Sequence, residues 1–283
     1  MRLNTKEIVV FIPLILATLL LFYFPIYTSF QKSLQDIDGS YIGFDRYGEL
    51  FSNPEFTGAF TFTIQIALVS TVISAVLSVI LALALRGTFA GKRISLFLNQ
   101  MNISMPHMIV AVMVIYLVGR KGFISSLAYK LGFIDSWSEF PAMVESTSST
   151  GVVLSYCLKF TPFICMSVLA VMQSMTQDCE DQSYILGVGK IKTFLHVTLP
   201  SIWPAIMSTV IMSFTYAFGS YDVPVALLKK GVMSTYVYNE FYSPVNPEGV
   251  LIGYAGAFTM TVIVLIISSV FLYLSSKGSD ALE

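Results

Sequence analysis

Few side chains in this sequence could do chemistry. The histidines are His107 and His196, and the cysteines are Cys157, Cys165 and Cys179. Hydrolytic or metal-assisted catalysis needs such groups at short fixed spacings, as in HExxH or GxSxG, and neither pattern occurs. The cysteine spacing frames no disulfide set and no zinc site. Gly87-Thr88-Phe89-Ala90-Gly91-Lys92-Arg93 has the look of a phosphate loop. It is one residue short between the glycines and lacks the Ser or Thr that would hold Mg²⁺. Gly187-Val188-Gly189-Lys190 fails on the same grounds. The residues predict no catalysis and no bound nucleotide in this chain.

Composition sets the elements that position the remaining polar groups. Of 283 residues, 55% are apolar and only 12% are charged, against about 25% charged in soluble domains. Mean hydropathy is +0.75. So little charge could not cover a soluble surface, which excludes a cytosolic enzyme and a disordered chain. The 16 basic and 17 acidic residues leave no field that would attract nucleic acid. The expected class is an all-α polytopic membrane protein.

Six apolar stretches reach spanning length, about 20 residues. They run over 8–29, 59–85, 94–118, 152–175, 202–218 and 251–274 within a single domain, 1–283. The first follows Arg2 and Lys6 as a signal peptide would, but its length, Pro13 and Pro25 read as a retained span. The third carries Asn99, Gln100, Asn102, Ser104, Pro106 and His107, so it should face protein or water rather than lipid. Arg86, Lys92 and Arg93 crowd one very short loop. That concentration predicts cytoplasmic N- and C-termini. Lys229 and Lys230 fall on the opposite side.

No Asp or Glu lies within the six stretches. An embedded acid is expensive and is kept for use, so its absence speaks against a proton-coupled carrier. Two titratable groups are embedded, His107 and Lys159. Lys159 lies ~11 Å into the fourth stretch at 1.5 Å per residue. It either snorkels to the headgroups or faces a solute path. His107 is either a packing residue or a ligand. Tyr216, Tyr221 and Asp222, at the end of the fifth stretch, are candidates for lining a vestibule; Asp222 could equally be a solvated loop acid.

The segment 176–200 between the fourth and fifth stretches is the most informative. Asp178, Glu180 and Asp181 gather at the start of a short helix, where the dipole favours acids. Gly187 and Gly189 break that helix. Ile191, Phe194, Leu195 and Thr198 then share a face by i, i+3, i+4, i+7 spacing, and Pro200 ends the piece. Physics alone leaves two readings: an elbow packed on its own bundle, or a docking surface.

The same segment resembles the EAA motif of permease subunits of binding-protein-dependent ABC importers, the maltose/polyamine or MetI-like inner-membrane components. Asp181-Gln182-Ser183 stands at the Glu-Ala-Ala positions, and Glu180 beside it is a second candidate for the acid. Gly187, Phe194, Leu199-Pro200 and Pro204 fall where the family has Gly, Phe, Leu-Pro and Pro. Gly43-Phe44-Asp45-Arg46-Tyr47 and Lys159-Phe160-Thr161-Pro162-Phe163 are also similar to family segments.

The resemblance implies six spans with a cytoplasmic coupling helix between the fourth and fifth. It implies a site in the bacterial cytoplasmic membrane and embedding in lipid. The expected partners are a second permease subunit, in a heterodimer, two P-loop ATPase subunits that bind ATP and Mg²⁺, and an extracellular solute-binding protein. Glu180, Asp181, Gln182, Ser183, Gly187, Phe194, Leu199 and Pro200 would couple to the ATPases, and Tyr41–Phe56 and Asp222–Asn246 would meet the binding protein. This chain itself would hold no cofactor. The fifth-stretch exit Tyr216–Pro224 resembles that of polyamine- and ferric-iron-type permeases more than that of sugar permeases. A polyamine or aminophosphonate is the expected solute, then a sugar, although Lys159 on the path would repel a cation. The alternative is a self-contained secondary carrier.

Overall fold

Helix boundaries follow the apolar stretches and the caps beside them. A computed structural model describes residues 5–144, 149–174, 177–228 and 231–280, without the side chains of 5–10, 177–179 and 274–280. Arg2, Met175, Thr176, Lys229 and Lys230 lie outside the described residues, as do the side chains of Lys6, Asp178 and Cys179. Six helical segments are long and apolar enough to cross a membrane, and the described residues contain no β-strand, only an isolated bridge between Gln35 and Tyr41.

The second span is a single helix, Pro54–Arg86, longer than the expected 59–85. Asn53 explains the early start: its side chain accepts the Glu55 N–H at 2.8 Å, and Pro54 occupies the first turn, where no N–H is missed. The fourth span is Thr150–Ser174 and the sixth helix is Gly249–Asp280. The first runs through Thr5–Thr18, a π turn at Leu19–Tyr23, and Phe24–Ser33. The fifth runs through Lys190–Thr193, a π turn at Phe194–Thr198, and Leu199–Gly219. Pro200 therefore does not end a separate helix, as its position had suggested. Both π turns finish two residues before a proline, Pro25 and Pro200. The wider turn draws the preceding carbonyls off the proline ring, so the helix passes instead of breaking.

The third stretch differs most from expectation. A continuous span over 94–118 is not formed. Helix Lys92–Ser104 stops, Met105 turns extended, and a second helix runs His107–Val118. A third helix, Phe123–Lys130, follows, and the candidate span is His107–Lys130. Pro106 is the cause: it lacks an N–H and forces the residue before it out of the helical region.

The bundle is centred on the second and fourth spans. Ala67, Ser70, Ser74, Ser78 and Ala82 form a buried stripe of small side chains on the second span. In lipid, close approach of such surfaces drives helix association, since apolar burial gains little there. The serines return their hydroxyls to their own helix, Ser70 to the Ile66 carbonyl at 2.7 Å and Ser74 to that of Ser70 at 2.6 Å. Ser78 also reaches the Thr161 carbonyl of the fourth span at 2.9 Å. Away from the elbow, Arg46 is buried and joins Asp36 (3.7 Å), Glu248 (3.5 Å) and the Gln35 carbonyl (3.2 Å). It pins the 34–53 segment to the start of the sixth helix.

Glycines bring the sixth helix against helix Met233–Phe241. A Cβ on Gly253 would sit 2.5 Å from the Phe241 ring, and one on Gly256 would sit 2.7 Å from Val237 Cγ2. Overpacking of this kind costs about 1–3 kcal/mol. Gly253→Val should therefore lower the thermal unfolding midpoint of the detergent-solubilised chain by several degrees. Gly39→Val, at a site where a Cβ meets nothing within 4 Å but φ is +84°, isolates the cost of backbone strain without a clash. An unchanged midpoint for Gly253→Val would show that the glycine is not needed for packing.

Candidate functional site

Two clusters contain the residues expected to work. One is the elbow between the fourth and fifth spans. Helix Gln177–Ile185 ends in a paired hydrogen-bond cap: the Val188 N–H donates to the Ser183 carbonyl (3.0 Å) and the Gly187 N–H to that of Tyr184 (2.9 Å). This cap needs a left-handed residue, and Gly187 supplies it at φ +77°. The chain reverses and enters the fifth-span helix at Lys190. The buried hydroxyls of Ser183 and Thr193 meet at 2.5 Å and clasp the two arms.

An ion pair anchors the elbow to the bundle. Arg86 Nη1, at the end of the second span, donates to both Glu180 oxygens at 2.7 and 2.9 Å, and Thr198 Oγ1 donates to Oε1 at 2.5 Å. Burial alone would raise the Glu180 carboxyl, but the hydrogen bonds from Arg86 and Thr198 and the guanidinium charge outweigh it and hold the pKa below the usual glutamate value. Asp181, which stands at the motif's acid position, is exposed, and the described structure gives it no ion pair. Gln182 is exposed too. Ser183 is buried, while Phe194, Leu199 and Pro200 are half-buried at the root of the fifth span.

The tip of the elbow presents apolar side chains away from the spans. Ile185 is 83% exposed, Leu186 81% and Ile191 77%. The anticipated common face of Ile191, Phe194, Leu195 and Thr198 is not formed. Ile191 and Leu195 are exposed while Thr198 is buried, because the π turn rotates the residues after Thr193 off the α-helical period.

The second cluster surrounds the break in the third span. Lys159 neither snorkels nor projects freely. It is 6% exposed, and its ammonium donates to the carbonyls of Asn102 (2.8 Å), Ile103 (2.8 Å) and Met105. Those groups are the ones a helix end leaves without partners. The exchange runs both ways. Pro162 has no N–H to give the Leu158 carbonyl, and Asn102 Nδ2 donates there at 2.9 Å. Two proline-interrupted helices thus satisfy each other's carbonyls.

Beside this exchange lies a cavity of about 240 Å³ lined by Ile103, His107, Lys159, Phe160, Phe163, Met212, Ser213 and Tyr216. His107 stacks on Tyr216 with ring centroids 4.0 Å apart. Tyr216 Oη donates to the Asp222 carboxylate at 3.1 and 3.3 Å, and Ser220 Oγ does so at 2.5 Å. Lys159, Tyr216 and Asp222 therefore belong to one neighbourhood. Tyr221 does not: it packs on Tyr238 at 4.6 Å, beside a different pocket. Sequence reasoning passed over Ser213, and it left Arg86 as a loop charge. The one available signal was a lysine and an asparagine near two in-helix prolines, residues able to serve the carbonyls that prolines leave open.

Comparison with known proteins agrees with this architecture. The Bacillus subtilis protein YurN, which carries the name of an ABC transporter permease, is 25% identical over 93% of each chain. The permease protein SmoG of the sulfoquinovosyl glycerol transport system of Agrobacterium fabrum is 24% identical over 88% of this chain and 81% of that one. The crystal structure of a bacterial ABC transporter involved in the import of the acidic polysaccharide alginate superposes with a TM-score of 0.76. It covers 95% of this chain and 94% of that one at 18% identity, which speaks for the fold. Residues 74–278 match the family described as binding-protein-dependent transport system inner membrane component, and the chain belongs to that family of ABC transporter permeases.

Proposed function

We propose that this chain forms half of a solute pathway in an importer and transmits the work of partner ATPases through the elbow at 177–199. The observation that carries the reading is the elbow tip. Ile185 and Leu186 are exposed between the fourth and fifth spans, and Ile191 is exposed beside them in the first turn of the fifth, at the span ends, where a partner's groove would cover them. An exposed apolar cluster of this kind marks an interaction site. The side facing the ATPases is cytoplasmic, in keeping with Arg86, Lys92 and Arg93 near the elbow. The Glu180–Arg86–Thr198 contacts support the mechanical part: a push on the elbow reaches the second span through Arg86 and the fifth through its continuous helix. ATP and Mg²⁺ belong to the partners. A second permease subunit completes the path, and an extracellular binding protein delivers the solute. A self-contained carrier is the weaker reading, because among the described residues the spans contain one acid, Glu55 in the first turn of the second, and none deeper that would hold a coupling ion.

The solute is a small polar molecule. Relatives are named for sulfate, 2-aminoethylphosphonate and sulfoquinovosyl glycerol. Within the polyamine, aminophosphonate and sugar classes, those names and the cation at 159 favour the aminophosphonate over the polyamine.

Docking is tested by Leu186→Asp in the assembled transporter. The expected result is a permease that inserts normally but no longer co-purifies with the ATPase; retained co-purification and full uptake would refute the docking role. Gly187→Leu should cost about 1–2 kcal/mol in the turn and should lower uptake per ATP hydrolysed while leaving insertion intact. The Arg86–Glu180 pair carries a pH signature. Because the folded Glu180 pKa is lowered, its anchoring is fully present above the unfolded value of about 4.3 and is lost as pH falls through the lowered one. Arg86→Met should weaken coupling at neutral pH, and Glu180→Gln should match it. A double variant with the charges exchanged should recover part of the loss, which a purely steric role would not allow.

A further inference from the structure

We infer that the break in the third span is an anion-binding half-site, and that the transported solute carries an anionic head such as a carboxylate, sulfonate or phosphonate. The inference rests on the importer reading and names its substrate class. The first ground is charge balance. Lys159 is buried, and the described residues give it no ion pair. Its three donors are spent on the C-terminal carbonyls of helix Lys92–Ser104 and on Met105. Those carbonyls offer about half a negative charge. The helix that begins at His107 contributes about half a positive charge at the same place; the Ile109 and Val110 N–H groups turn to the Pro106 carbonyl, which leaves those of His107 and Met108 without an intrahelical partner. The break therefore keeps close to one unit of positive charge. Half-helix N-termini at membrane depth are aimed at anionic solute groups in other transporters.

The second ground is independent of charge. Ser213 lines the same cavity at 2% exposure, and its Oγ has no hydrogen-bond partner. A buried hydroxyl without a partner is costly, and an oxyanion would accept its proton. Asp222 lies at the far end of the Tyr216 side chain, where Tyr216 and Ser220 donate to it, and no ion pair joins it to Lys159. Phe160, Phe163 and Tyr216 wall the cavity for the carbon part of a solute. At about 240 Å³, below the ~300–1,000 Å³ of complete small-molecule sites, the cavity fits a head group while the second permease encloses the rest.

The test reads the potential directly. Ser213→Cys in the assembled, membrane-embedded transporter is reacted with sulfonatoethyl and with trimethylammonioethyl methanethiosulfonate, after subtracting the rate of the unmutated chain. Relative to their rates on a free thiol, the anionic reagent should be favoured by at least about tenfold. Lys159→Met added to it should remove the preference, and Lys159→Arg should keep it. Methylphosphonate should slow modification by a neutral reagent. Equal or cation-favoured rates, no modification by either reagent, or a preference that survives Lys159→Met would overturn the inference. Solute-stimulated ATP hydrolysis by the unmutated complex stands or falls separately, so loss of the anion site leaves the importer reading intact.

Discussion

A bilayer offers no water to a backbone carbonyl, so every proline in a spanning helix creates a debt that protein must settle. Four settlements are visible in this chain. Before Pro25 and Pro200 the helix widens by a π turn and continues. At Pro106 and Pro162 the helices exchange side chains instead, with Lys159 serving one break and Asn102 the other. The position of the third span against the fourth, the cavity beside them and the stack of His107 on Tyr216 all follow from that exchange.

The elbow depends on a different economy. It lies outside the apolar windows of the second and fourth spans, so ordinary caps and ion pairs hold it. The left-handed Gly187 sets the reversal, the Ser183–Thr193 contact closes it, and Glu180 ties it to Arg86. These contacts use polar side chains and a backbone cap, and the apolar Ile185, Leu186 and Ile191 at the tip stay exposed. The result is a hydrogen-bonded base under an exposed apolar tip.

The span count and the order of elements were legible because apolar length is a strong signal, and the spacing from Gly187 to Pro200 was enough to locate the elbow. Helix continuity was not legible. Pro25, Pro106, Pro162 and Pro200 look alike in the sequence, yet two are bypassed and one divides a span. The outcome turns on a neighbour's side chain far along the chain, which periodicity does not encode. Pairing had the same limit. Glu180 and Asp181 are adjacent, and only the rotation of the helix puts Glu180 on Arg86 and Asp181 at the surface. Tyr221 was grouped with Tyr216 by proximity in sequence, and the turn at Ser220 separates them.

Lys159 also has a consequence for biogenesis. A lysine near the middle of a nascent span carries an insertion penalty of about 2.5–3.5 kcal/mol. Its three carbonyl partners lie at 102–105, on the stretch synthesised just before it. Those carbonyls are already made when the lysine leaves the ribosome, and they are themselves unfit for lipid until it arrives. The third and fourth segments are therefore poor insertion substrates singly and a good one together.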